Sequence, residues 1–336
     1  MHLLKRLGLV FITAYILMFF SEFFFVNEGV AFDVVRAIQT QPASLLGTLA
    51  KLLLFYGLPA YIFLTAVSLF RGRTVWAIFL AGALYGWIVE GVVVWQMYEA
   101  LPFTISWTPL GWHVIIDVLL GWYLARWLLL KDRYGVTAVL AIALGAFWGL
   151  WATWYWQDGR LIPPAEFALF ALFTGGLWVL ANGLLTPFIG PPFQPSKIEI
   201  GLLLTATAGL FALNILTILP VAILVLPPLF IVTLFALKRN RKTEERADVI
   251  VALAGQPRRG QYALLGLTPL AAVVVYTAVY QWPLRLPLTD LIALPLMLAG
   301  FVLFLISFIQ IFRRKRTQPT NLTHTPSAGP DAAPVR

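Results

Sequence analysis

The chain has 336 residues, 60% of them hydrophobic and 12% charged, with a mean hydropathy of +0.84. Soluble domains are about half apolar and about a quarter charged, so this composition excludes a water-soluble globular protein and requires a membrane. A net charge of +9 would suggest nucleic acid in a soluble chain, but its placement here fits topology and no nucleic-acid partner is expected. The absence of cysteine excludes disulfides, thiolate metal sites and cysteine nucleophiles.

In chain order, apolar runs long enough to cross a hydrocarbon core of ~30 Å fall at 7–27, 45–70, 74–95, 109–130, 136–156, 164–186, 199–218, 220–237, 262–281 and 288–312. Continuous apolar blocks rather than short alternating segments predict an all-α, polytopic helix bundle of about ten transmembrane helices. The first run follows Lys5 and Arg6 and lacks a small-residue cleavage pattern, so it reads as a retained span rather than a secretory leader. Residues 1–316 form the membrane domain, with a basic cytoplasmic loop at 238–261. From Thr317 the Pro/Thr/Ala-rich tail is expected to be a disordered cytoplasmic segment.

Placing the N terminus inside puts Lys5, Arg6, Arg71, Arg73, Lys131, Arg133, Lys197, "KRNRKTEER", Arg258, Arg259 and the final "RRKR" on one side. Only Arg36, Arg160 and Arg285 fall in the opposite connections, so the enrichment of short cytoplasmic loops in Lys and Arg predicts an N-in, C-in protein. A prokaryotic plasma membrane is the expected location. The weakest joint is 199–237, where Pro220, Pro227 and Pro228 require either a turn between Asn214 and Pro220 or an irregular helix. One internal repeat is a candidate: "AGALYGWIVEG" aligns with "LGAFWGLWATW" at an offset of 63, matching Gly82 to Gly145, Gly86 to Gly149 and Tyr85 to Trp148. Both copies hold Gly-x-x-x-Gly, which brings helix backbones close.

Ionisable groups inside a membrane are costly and are functional candidates by default. Glu22 lies ~7 Å beyond the middle of the first span, at 1.5 Å per residue, and Glu90 sits at a similar level in the third. Lys51 opens the second span, and His113 and Asp117 occupy the first two turns of the fourth, so all five belong to the outer half. His113 and Asp117, at i and i+4, share a helix face, where a carboxylate would fix the imidazole tautomer. A short outer loop brings Glu90 beside them as the third member, while Lys51 is expected to neutralise Glu22 or Glu90. Thr108 reads as the N-cap of the fourth span, with Pro109 at its first position. Glu99, Trp95, Trp107 and Trp112 make an aromatic, mildly acidic lid. Ten of the 13 tryptophans lie between 87 and 156, serving either to stack on a substrate or as an interfacial belt. Arg126 is expected to snorkel to the cytoplasmic surface and Asn182 to bond between helices.

The motifs for zinc proteases, nucleotide-binding loops, serine hydrolases and dinucleotides are absent, so the cofactor is unknown; with one imidazole and several carboxylates the cluster would suit Mg²⁺ or Mn²⁺ better than Zn²⁺, and no metal ligand is assigned. The leading expectation is an enzyme on a lipid or lipid-linked substrate at the extracytoplasmic leaflet, with catalytic His113, Asp117 and Glu90, and with Glu22, Lys51, Glu99, Trp107 and Trp112 as substrate contacts or charge partners. A proton- or ion-coupled transporter and a non-catalytic scaffold, in which the trio only pins helices together, are the alternatives. Membrane lipids and a lipid-like or small-molecule substrate are the expected partners.

Overall fold

A computed structural model describes residues 3–154, 156, 161–282 and 288–314. The tail from Thr317 lies outside the described residues, as do Arg160 and Arg285. The protein is a multi-pass membrane helix bundle, 81% helical, with no strand among the described residues. Ten helices are long and apolar enough to cross a bilayer: α1 (Leu3–Glu22), α3 (Pro42–Leu69), α4 (Val75–Val93), α5 (Phe103–Leu130), α6 (Tyr134–Trp151), α7 (Pro164–Leu185), α8 (Lys197–Leu216), α9 (Pro220–Thr243), α10 (Arg259–Gln281) and α11 (Leu288–Arg313). One further helix, α2 (Gly29–Thr40), forms where the sequence suggested a plain loop; Ala31, Val34, Val35 and Ala37 give it a buried face against α3 and α7.

The segment 199–237 is two spans, and the break falls at residues 217–219 between α8 and α9. α8 starts on a capping box, in which the Ser196 hydroxyl accepts from the Glu199 N–H at 3.2 Å and the Glu199 carboxylate accepts from the Ser196 N–H at 2.6 Å. That carboxylate also takes Arg6 of α1 at 2.6 Å and the Tyr61 hydroxyl of α3 at 2.7 Å, so one glutamate ties three helices together. α9 runs on to Thr243, so "KRNRKT" is the end of a helix rather than the start of a loop; cations there complement the helix C-terminal dipole. A single turn at Val249–Ala252 follows, and α10 begins at Arg259.

α4 is the centre of the bundle, with 89% of its apolar window buried, whereas the windows of α8 and α11 are 11% buried. α1 packs on α3, α5 and α7; α4 packs on α3, α5 and α11; α6 and α7 both pack on α10. Leucines such as Leu202, Leu213, Leu294 and Leu298 face outward, as they must on helices bathed in lipid. Trp87, Trp112, Trp122, Trp148, Trp151 and Trp178 are fully buried, and Trp112, Trp148 and Trp178 interleave with Phe19, Phe20 and Phe24, so the tryptophan-rich region is mostly core and not an interfacial belt. Phe19 stacks on Trp178 at 5.4 Å and Phe24 on Trp148 at 5.3 Å.

The two Gly-x-x-x-Gly copies work alike and have different partners. A Cβ on Gly86 would strike the Pro109 carbonyl of α5, while one on Gly145 or Gly149 would strike the Thr268 or Ala272 carbonyl of α10. The second copy therefore pairs with a distant span instead of the next one, which departs from a simple duplication. Asn182 also departs from expectation, because it donates to Trp178 of its own helix at 3.0 Å. Arg126 does not snorkel. It is fully buried and donates to the carbonyls of Gly255 at 2.7 Å and Leu253 at 3.3 Å, to Thr186 Oγ1 at 3.0 Å and to the Tyr262 hydroxyl at 3.3 Å. The residues before α10 are thereby fastened to α5 and α7.

Candidate functional site

α4 and α5 are consecutive antiparallel spans, and they touch backbone to backbone where Gly86 meets Pro109. Glu90 lies four residues beyond the one and His113 four beyond the other. Helical side chains lean back towards their own N terminus, so on antiparallel helices these two lean towards the crossing and towards each other. Both stand on widened turns. Val94 N–H reaches back five residues to the Val89 carbonyl at 3.0 Å, and Gly111 N–H reaches the Ser106 carbonyl at 2.7 Å. Such i→i+5 bonding runs from Trp107 to Leu124, a long example of a geometry that collects at functional sites. The i→i+5 stretch of α5 thus begins two residues before Pro109. Thr108 is not its cap, and the Ser106 hydroxyl is taken up by the Met297 carbonyl at 2.6 Å.

His113 is clamped between two carboxylates. Its Nε2 lies 2.7 Å from Glu90 Oε1 and its Nδ1 lies 2.7 Å from Asp117 Oδ2. Ser21 of α1 donates to the same Asp117 oxygen at 2.5 Å and stands 3.2 Å from the Tyr85 hydroxyl, whose own distance to that oxygen is 3.5 Å. The Tyr85 ring meets the imidazole edge to face at 5.6 Å. All three members of the clamp are buried, yet Glu90 Oε2 and Asp117 Oδ1 have no hydrogen-bond partner.

Each short N···O contact needs one proton between its atoms. Two protons are therefore shared by one imidazole and two carboxyls. The trio is either an imidazolium between carboxylates or a neutral imidazole facing one carboxylic acid, and it carries net charge −1 both ways. With both ring nitrogens committed, the imidazole has no lone pair for a metal, and among the described residues no cluster has the makings of a metal site.

Glu90 and His113 form part of the floor of a cavity of about 470 Å³. Ser21, Glu22 and Tyr56 complete the floor, Phe25, Phe55, Trp107, Trp112 and Trp154 line the walls, and Gln96, Glu99, Thr104 and Thr108 stand further along the lining. Glu22 accepts from the Tyr56 hydroxyl at 2.6 Å. Beside the cavity the buried Tyr98 hydroxyl donates to the Gly91 carbonyl at 2.8 Å, and burial raises its pKa above the usual phenol value, which keeps it a donor.

Comparisons of the chain with protein-family models, curated proteins and solved structures find no match. The site is accordingly read from its own residues.

Seven of the eight residues singled out from sequence meet at or behind this cavity: Glu90, His113, Glu22, Glu99, Trp107 and Trp112 line it, and Asp117 backs His113. Lys51 does not join them. It is exposed on α3 and pairs with no carboxylate among the described residues, and the partner of Glu22 is Tyr56 instead. Ser21, Tyr56 and Tyr85 were missed; a hydroxyl within an apolar span is a faint signal, and only the pairing of Ser21 with Glu22 in "FFSEFF" hinted at it.

Proposed function

We propose that the protein is a membrane-embedded enzyme acting on a lipid or lipid-linked substrate at the extracytoplasmic leaflet. Glu90 exchanges the proton, His113 passes charge behind it, and Asp117 orients the ring. One observation carries this reading: a buried acid–imidazole–acid chain, of which Glu90 and His113 line an aromatic cavity, keeps one buried Glu90 carboxylate oxygen without a hydrogen-bond partner. As a base, Glu90 takes the proton on Oε2 while Oε1 keeps its bond to His113, and the trio goes from −1 to neutral. The basic residues, most of which lie at the opposite ends of the spans, support placement on the outer leaflet.

A transporter would need the polar path to continue. Further along α5, Phe20 packs against Gly121 and Phe63 meets Trp122 in edge contact at 5.2 Å, and the next charged residue along α5 is Arg126. This favours an enzyme.

Two experiments test the reading. In the cysteine-free chain, Glu99→Cys reacts with a membrane-impermeant maleimide on intact cells and Arg241→Cys reacts only after permeabilisation; the reverse pattern overturns the orientation. In liposomes of polar lipid extract from the native membrane, the wild type converts one lipid species followed by mass spectrometry. Glu90→Gln, which keeps a hydrogen bond to His113, slows that conversion by about 10²–10⁴-fold. A wild type that consumes no lipid but acidifies the lumen under a pH-sensitive dye is a transporter, and the proposal fails.

A further inference from the structure

Resting on that reading of the site, the chemistry of the cavity floor specifies the substrate's head. Among the described residues the lining includes Glu22, Glu28, Glu90 and Glu99 and no lysine or arginine. The trio, to which Glu90 belongs, carries a charge of −1 that no described lysine or arginine of the lining balances. A buried carboxylate without a cation is costly in a low dielectric, so the site favours a ligand that brings one. Aromatic faces point the same way. Trp107 and Trp154 line the space with partly exposed rings, and the buried Trp112 packs behind them on Phe25 at 4.6 Å; such ring surfaces attract cations.

The kind of cation follows from Glu90 Oε2. This oxygen belongs to a side chain only 7% exposed, and it lacks a hydrogen-bond partner. A quaternary ammonium has no N–H and would leave it unsatisfied. A primary or secondary ammonium supplies the donor, and a charge-assisted bond results. We infer that the cavity binds a protonated amine, held by Glu90 and Glu22 against Trp107. The proton that Glu90 removes is then one of the ammonium's own: R–NH3+ and carboxylate give R–NH2 and carboxylic acid.

The amine can belong to a lipid headgroup or to a free molecule, and one binding measurement separates these sources. The full-length protein is placed in nanodiscs of phosphatidylglycerol, and its thermal midpoint is followed as phosphatidylethanolamine replaces part of the lipid or as ethanolamine is added in solution. The expected result is a saturable rise with the amine, and none with phosphatidylcholine or choline. Response to the lipid alone identifies a headgroup site; response to ethanolamine as well identifies a site for the free amine. Glu22→Gln, which retains the bond from Tyr56, weakens the response by about 10-fold or more. No saturable response to either amine, an equal response to choline, or an unchanged response in Glu22→Gln overturns the inference. Binding is read without turnover. If lipid conversion sensitive to Glu90→Gln persists while amine binding fails, the inference alone falls; if the amine binds and no lipid is converted, the enzyme reading falls and the amine site stands.

Discussion

His113→Ala is expected to lower the stability of the purified protein by about 3–5 kcal/mol, because it strips the common partner from two buried carboxyl groups. Glu90 and Asp117 would then face one vacated space with only Ser21 and Tyr85 to answer Asp117. Thermal unfolding in detergent measures the loss. A second variant separates electrostatics from lost volume. Replacing all three members together, as Glu90→Leu/His113→Leu/Asp117→Leu, removes every charge and fills the space with apolar groups, an exchange that is often neutral or stabilising for buried ion pairs. The triple variant should recover most of the stability and have no activity. If it unfolds as easily as His113→Ala, the destabilisation is a packing effect and the charge account is wrong. A trio whose removal costs no stability is kept for chemistry, and that comparison tests the scaffold alternative directly.

Gly86→Val should be among the most damaging single changes at the helix interfaces. The atom its new Cβ would meet is the Pro109 backbone carbonyl, which cannot swing aside as a side chain can, so α4 and α5 must separate. The expected loss is about 3 kcal/mol or more. Because this crossing also sets the reach from Glu90 to His113, activity should fall further than stability. Gly149→Val, aimed at the Ala272 carbonyl on α10, should destabilise comparably and leave the residual folded protein active. Gly176→Ala is the control: nothing lies within 4 Å of the added methyl, so it should be neutral or slightly stabilising. Equal loss of activity per unit of lost stability in Gly86→Val and Gly149→Val would show that the crossing does not set the site.

The spans were legible because a membrane-crossing helix needs about 20 apolar residues whatever its neighbours, and all ten were found with ends displaced by a few residues. The displacements have local causes, such as the capping box before α8 and the cationic end of α9. The convergence of Glu90, His113 and Asp117 was also legible, since depth and the i, i+4 spacing were enough to align them. The widened turns of α4 and α5 were not, because i→i+5 bonding leaves the pattern of apolar residues unchanged. Long-range partners were equally hidden. Arg126 reads as a surface-seeking cation until the carbonyls of Leu253 and Gly255 come round to it, and Lys51 reads as a counter-ion until Tyr56 takes that place.

Until a proton enters or leaves at Glu90 the trio keeps its charge of −1, and that has an electrical consequence. Exchanging which carboxyl holds the hydrogen moves positive charge across a single imidazole ring, a small part of the bilayer's thickness. A full unit charge carried through the whole bilayer gains about 2.3 kcal/mol per 100 mV, so this short internal shuffle draws almost nothing from the transmembrane voltage. That exchange within the trio is electrically quiet, and it should run at the same rate in an energised cell and in a depolarised vesicle.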